Sequence, residues 1–188
     1  VERHFRLLKE NTSLELWAYD IPVCVHTKLS PDLLMRLGRD GIIDGVKDSS
    51  GDDVAFRWLC LANEAAGHPM QLLTGHEVVV DGAYMSGADG SVPGLANVDP
   101  EGYVRQWQAY ERRDWEAVRT EQDRLAELMR IVQVKGVQGF GAGVGAFKAA
   151  LHLLGVFDSP EMPRPVAAIE GDNMEHVASV LRAVDLLS

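Results

Sequence analysis

Four short apolar runs, each followed by a segment long enough to hold a helix, shape the first half of the sequence: Leu14 to Tyr19, Ile42 to Val46, Met70 to Leu73 and Ser91 to Val92. Antiparallel neighbours can be joined by tight turns, whereas connections that carry whole helices return the chain to the same end of a sheet. The order βαβαβαβ therefore predicts parallel pairing. In folds of this kind the chemistry collects at the carboxyl ends of the strands.

Local signals place the helices. Ser30-Pro31-Asp32 supplies an N-cap, a proline at the first helical position and an acid in the first turn, ahead of Leu33, Leu34 and Leu37. Asp52 or Asp53 opens the next helix, on which Val54, Trp58, Leu61 and Ala65 mark an apolar face before Gly67-His68-Pro69 ends it. Val78 to Met85 reads as a short third helix. From Pro100 onward only helices are expected, over Pro100 to Arg112, Asp114 to Val132, Gly143 to Leu154 and Asp172 to Leu186. The chain thus divides into an α/β part, residues 1–99, and a helical part, residues 100–188, which covers the sheet or makes an oligomer contact. At the start, Phe5, Leu7 and Leu8 read as the end of a helix already under way, so the chain is expected to begin inside a larger domain.

Composition narrows the class. With 46% hydrophobic and 24% charged residues the sequence is ordinary for a globular protein. A net charge of -10, with no dense Lys/Arg stripe, argues against nucleic acid and anionic membrane surfaces as partners. No apolar stretch approaches the roughly 20 residues that span a bilayer. Cys24 and Cys60 are too few for a disulfide framework and have no metal-ligand spacing, which fits a reducing cytoplasm. The six histidines are scattered, and no metal is expected. Gly139-Phe140-Gly141-Ala142-Gly143-Val144-Gly145 follows a helix and lacks the Gly-Lys-Ser/Thr ending of a phosphate loop, so it is expected to be a flexible connector to a helix from Phe147 to Leu154. Trp58, Trp107 and Trp115 lie at helical positions and read as packing groups.

The candidate chemistry sits where the first two runs end. Tyr19 closes one and Lys47 follows the other one βα unit later, so a phenol and an amine would face one site from neighbouring strands. An amine attacks a ketone only when neutral, and free lysine has a pKa of about 10.4. Burial disfavours the ammonium form and lowers that value.

Tyr19-Asp20-Ile21-Pro22, Gly45-Val46-Lys47-Asp48-Ser49-Ser50-Gly51-Asp52, Leu73-Thr74-Gly75 and Gly87-Ala88-Asp89-Gly90 resemble, in order and spacing, the dihydrodipicolinate synthase / N-acetylneuraminate lyase family. The resemblance implies an α/β fold that is the carboxyl-terminal half of a (β/α)8 TIM barrel, strands five to eight, followed by an all-helical extension. It implies that Lys47 forms a Schiff base with pyruvate or a pyruvate-yielding 2-oxo acid, that Tyr19 shuttles protons, and that no cofactor is needed beyond the covalent imine. A homo-oligomer, such as a tetramer, is implied as well.

Further positions follow from the same resemblance. Ser49 matches a substrate-contacting hydroxyl, or caps the helix that starts near Asp52. Gly75 and Glu77 occupy a loop that reads the distal part of the substrate, although a loop carboxylate is equally a surface group. Val92 matches a position whose backbone carbonyl lies near the 2-oxo acid. Where the synthases carry an arginine for the second substrate's carboxylate, this chain has Cys24, which cannot form a bidentate ion pair. That departure favours a lyase or aldolase acting on a 2-oxo acid, such as a 2-oxo-3-deoxy sugar acid, over condensation of pyruvate with aspartate semialdehyde. A non-catalytic, truncated family member is the third reading. His26 and Lys28 are candidates to replace the arginine in anion recognition, or are solvated loop residues.

Overall fold

The computed structural model describes residues 1–188, and the chain divides after Pro93 into two units, Val1–Pro93 and Gly94–Ser188. The first unit runs α1 (Glu2–Glu10), β1 (Trp17–Asp20), the single turn α2 (Pro22–Val25), α3 (Pro31–Arg39), β2 (Gly45–Asp48), α4 (Asp53–Ala65), β3 (Gln71–Thr74), α5 (Val80–Ser86) and β4 (Gly90–Ser91). Its strands form one sheet in the order β1-β2-β3-β4, and every neighbouring pair is parallel. The α/β alternation and the parallel pairing expected of the sequence are both present.

Alternation along the strands gives the sheet two unlike faces. Ala18, Asp20, Val46, Asp48, Leu72 and Thr74 are buried. They share that side with Leu34 and Leu37 of α3, Phe56 and Leu59 of α4, and Val80 and Tyr84 of α5, all buried. A fully buried leucine or phenylalanine contributes about 1.5–3 kcal/mol, so this layer carries most of the unit's stability. The opposite face holds Trp17, Tyr19, Lys47 and Leu73, of which Trp17 and Tyr19 are exposed. Gly45 is required there because a Cβ would fall 2.5 Å from the Trp17 ring that lies across it.

Several boundaries differ from expectation. The second strand is Gly45–Asp48 rather than Ile42 to Val46, so Lys47 lies within it. Ile42 to Asp44 instead anchor the entry. Ile43 is buried, the Asp44 carboxylate accepts the Leu16 amide at 2.8 Å, and the Asp44 amide donates to the Leu16 carbonyl at 2.7 Å. On α4 the expected face is the wrong one: Val54, Trp58, Leu61 and Ala65 are exposed, while Phe56, Leu59, Cys60 and Asn63 are buried. The helix is apolar on two sides, and Asn63 decides between them. Fully buried, its Nδ2 donates to the Met70 carbonyl at 2.8 Å and its Oδ1 accepts the Met70 amide at 3.3 Å, which clips the entry to β3. The two cap signals are realised: Ser30 Oγ accepts from Leu33 N at 3.3 Å and Asp52 Oδ1 from Ala55 N at 2.9 Å.

The second unit contains a short 3₁₀ turn (Gly94–Asn97), α6 (Pro100–Glu111), α7 (Trp115–Leu128), a second 3₁₀ turn (Met129–Val132), α8 (Phe140–Leu153) and α9 (Gly171–Ala183). Helices α6 and α7 pack on each other, with Gln106 Nε2 donating to Gln122 Oε1 at 3.0 Å inside the contact. Asp99 caps α6 through the Gly102 amide at 3.0 Å and pairs with Arg124 of α7. The glycine-rich stretch is not a connector. It is the first turns of α8, which begins at Phe140. A Cβ on Gly141 would come 2.9 Å from Val137 Cγ1, so the missing side chain there permits the close approach of the preceding segment.

Asn63 yields a direct test. Asn63→Ala leaves two backbone groups of Met70 without a partner in the core and should lower stability by about 2–4 kcal/mol, seen as an earlier urea transition of the far-ultraviolet circular dichroism signal.

Candidate active site

The ladder of the sheet sets the site. Trp17 pairs with Gly45, Ala18 with Val46, Tyr19 with Lys47 and Asp20 with Asp48. The phenol and the amine therefore project from directly opposed positions on the same face. Lys47 Nζ donates to Tyr19 Oη at 3.2 Å and also lies 4.3 Å from the centre of the Tyr19 ring. Lys47 is half-buried, and Tyr19 is 48% exposed on the open face. The contact is thus reachable by a small molecule.

The ladder continues one residue past the strands. Ser49 N donates to the Asp20 carbonyl at 2.8 Å, Gly75 N to the Asp48 carbonyl at 2.7 Å, and Val92 N to the Thr74 carbonyl at 2.7 Å. Ser49, Gly75 and Val92, three residues singled out from the sequence, therefore form one layer at the strand ends. Ser49 lies two positions after Lys47 and so shares its face. Gly75 records the crowding: a Cβ there would fall 2.9 Å from Lys47 Cε and would overlap Ser49 Oγ. The backbone of Gly75 is not left-handed, so the requirement for glycine is steric. Ser49 does not cap α4, because Asp52 does. Glu77 stands outside this layer, half-buried in the loop between β3 and α5.

Directly beneath this face lies a cluster that reading the sequence missed. Asp20 and Asp48, each one residue after Tyr19 and Lys47, point to the buried side, where their side chains are 0% and 6% exposed. Lys28, from the loop between α2 and α3, bridges them. Its Nζ donates to Asp20 Oδ2, to Asp48 Oδ2 at 3.3 Å and to the Leu29 carbonyl at 3.3 Å. Asp20 Oδ1 accepts the Leu29 amide at 3.1 Å, and Asp48 Oδ1 accepts both the Ser50 amide at 2.8 Å and the Ser50 hydroxyl at 2.7 Å. Desolvation works against the Lys28 ammonium, but the hydrogen bond to Asp20 and the charges of Asp48 and Asp20 outweigh it and raise its pKa above the ordinary lysine value. Lys28 is therefore committed to these carboxylates and is not available to recognise an anionic substrate. The signal in the sequence was the repeated order Tyr-Asp and Lys-Asp at two strand ends, where alternation turns the acid inward.

Cys24 lies on α2, exposed, and His26 closes that turn in a left-handed conformation with φ 53°. Cys60 is buried on α4, and burial first, then the charge of Asp89, pushes its thiol up to about 11. No group of three or more His, Cys, Asp and Glu side chains is gathered to hold a metal ion. No helix is long and apolar enough to cross a membrane.

Comparison with known proteins places this geometry in context. The model of the dihydrodipicolinate synthetase family matches residues 1–184. An uncharacterized DapA-like lyase of Halobacterium salinarum is 30% identical over 185 residues, covering 98% of this chain and 57% of that protein. A 4-hydroxy-tetrahydrodipicolinate synthase of Kineococcus radiotolerans is 28% identical over 177 residues, covering 90% of this chain and 54% of that protein. Among solved structures, the dihydrodipicolinate synthase of Bacteroides thetaiotaomicron superposes with a TM-score of 0.87 at 26% identity, over 97% of this chain and 60% of that one. YagE, a prophage protein of E. coli K12 solved in complex with pyruvate, shares the fold with a TM-score of 0.89 at 19% identity, over 98% of this chain and 61% of that one. The chain therefore spans less than two thirds of the length of the relatives it matches.

Two glycines should respond in opposite directions. Gly75→Ala overpacks Ser49 and Lys47 and should cost about 1–3 kcal/mol. Gly82→Ala, on α5 where a Cβ meets nothing within 4 Å, should be neutral or stabilising by up to about 1 kcal/mol. Urea midpoints of the two variants against the parent chain read the difference.

Proposed function

The chain belongs to the dihydrodipicolinate synthetase family, and from that premise we propose that it carries the imine-forming half of a lyase that cleaves a pyruvate-yielding 2-oxo acid. The observation that carries the reading is the 3.2 Å hydrogen bond between Lys47 Nζ and Tyr19 Oη across paired strand ends. In this reading the four strands are the fifth to eighth of a (β/α)8 barrel, and residues 100–188 are its last helix and helical extension.

The reaction follows from the two groups. The neutral Lys47 amine adds to the 2-oxo carbon of the substrate, and the Tyr19 hydroxyl gives its proton to the departing oxygen, so that water leaves, an iminium forms and Tyr19 becomes the phenolate. That cation is an electron sink one bond from the carbon-carbon bond to be broken. Tyr19, as the phenolate, takes the proton of the hydroxyl on the carbon beyond that bond. The bond breaks, an aldehyde leaves, and its electron pair moves into the enamine. Tyr19 returns the proton to the enamine carbon, and water then hydrolyses the iminium to release pyruvate, the neutral Lys47 amine and a proton that restores the Tyr19 phenol. No cofactor enters, because the covalent imine supplies the electron sink. In this reading Ser49, in the layer above Lys47, hydrogen-bonds the substrate. Gly75 and the Val92 backbone line the same layer, and Glu77 lies in the loop proposed to meet the substrate's distal end.

Cys24 supports cleavage over condensation. It stands where the synthases place an arginine for the second substrate's carboxylate, and the neighbouring cation Lys28 is held by Asp20 and Asp48. The second reading, condensation of pyruvate with aspartate semialdehyde, is favoured by the name of the 28% identical Kineococcus radiotolerans relative.

Incubation with pyruvate and borohydride, followed by intact mass measurement, tests the proposal. A single reduced adduct is expected on the chain and none on Lys47→Ala. Tyr19→Phe should slow turnover of a 2-oxo-3-deoxy sugar acid by about 10²–10⁴-fold while leaving the adduct obtainable at long times. A folded chain that gives no adduct sinks the imine proposal and leaves a non-catalytic member of the family. An adduct with turnover only when aspartate semialdehyde is supplied selects the second reading.

A further inference from the structure

We infer that Lys28 is a positioning residue for the Lys47–Tyr19 pair, acting from the back of the sheet by holding Asp20 and Asp48 together. The proposal concerns the same site and its catalytic consequence rests on the function proposed above, but its structural claim stands on the geometry alone.

Asp20 and Asp48 are registered partners on adjacent strands, and both side chains are buried. Like charges directly opposed across a ladder oppose pairing, and here water is not available to screen them. Lys28 is the cation that bridges both carboxylates. Because each aspartate immediately follows a site residue, the same two peptide units carry the repulsion on one face and the amine–phenol contact on the other. Separating Asp20 from Asp48 would separate Tyr19 from Lys47. The clamp also reaches the layer above: Asp20 holds Leu29 N and Asp48 holds Ser50, so the loops after β1 and β2 are tied to one cation.

The arrangement predicts a particular pattern of rescue. Lys28→Met leaves two buried carboxylates without their cation. Lys28→Arg restores the charge. Lys28→Met with Asp48→Asn removes one of the repelling charges instead, and keeps the hydrogen-bonding shape. If Lys28 acts only as a packing residue, neither the arginine nor the second substitution should restore the site.

Competitive acetylation of the full chain with trace acetic anhydride reads the contact without any substrate, with Lys9, Lys135 and Lys148 as internal references. Loss of the hydrogen bond to Tyr19 should raise labelling of Lys47 relative to these by about threefold or more in Lys28→Met. Lys28→Arg and the double variant should return toward the parent value. In parallel, the initial rate of pyruvate capture by borohydride, measured at saturating pyruvate on folded samples, should fall by about 10- to 100-fold in Lys28→Met and recover in the other two. Unchanged relative labelling of Lys47 in a folded Lys28→Met, or a change that neither arginine nor Asp48→Asn reverses, overturns the positioning role. If the parent chain gives no pyruvate adduct, the imine proposal fails, and the acetylation pattern still decides whether Lys28 positions Lys47.

Discussion

Register between four very short strands is the constraint on which the first unit depends. Each strand contributes two to four residues, so a slip of one residue would exchange the two faces of the sheet. Ala18, Val46 and Leu72 would leave the core, and Tyr19 and Lys47 would enter it. The register is fixed from outside the ladder as much as within it. Asp44 holds Leu16 before β1, Asn63 holds Met70 before β3, and the Asp89 carboxylate accepts the Leu72 amide at 2.7 Å before β4. Polar side chains at the strand entries thus do the aligning, and apolar side chains on one face supply the burial.

The strand ends invert that division. There the buried face carries charge and the open face carries the reactive groups. Two like unit charges about 4 Å apart at an effective dielectric constant near 20 interact by about 4 kcal/mol, so opposed buried carboxylates can oppose folding by an appreciable fraction of the net stability of a small domain. Lys28 converts that repulsion into a three-group ionic cluster with excess negative charge, closed by amides from Leu29 and Ser50. Buried ion pairs are weak contributors to stability when compared with apolar replacements, but removing one partner is costly. Such a cluster therefore serves better as a device for fixing geometry than as a source of folding energy. The helical unit repeats the pattern at Asp99, which is buried, caps α6 and pairs with Arg124, whose pKa is raised against its own desolvation by Asp99 and Glu121.

Much of this was legible in the amino-acid order, and the parts that were not share a cause. Helix starts at Ser30 and Asp52 could be read because capping is decided within four residues. Parallel pairing could be read because the connections are long. The position of Lys47 and Tyr19 at neighbouring strand ends followed from the same alternation. The buried face of α4 was not legible, since Val54, Trp58 and Leu61 compete with Phe56, Leu59 and Cys60 at equivalent spacing, and a polar residue, Asn63, settles the choice through a contact with Met70. Lys28 was hidden for a related reason. In sequence it is a loop lysine, and only the fold brings it 20 residues along the chain to Asp48. The glycine-rich start of α8 was read as flexibility because glycine has a low intrinsic helix propensity, which packing overrides where Gly141 and Gly145 are buried.

The two thiols described above differ in a way that reaches beyond packing. Cys60 is sealed in the core with its thiol pushed up to about 11, while Cys24 is exposed on the turn that follows β1. The folded chain therefore presents one accessible thiol, four residues after Asp20 and five after Tyr19. A maleimide fluorophore or nitroxide attached there would sit at the rim of the strand ends with no engineering of the sequence. The one exposed thiol is thus also a built-in handle for watching the strand ends by optical or magnetic resonance methods.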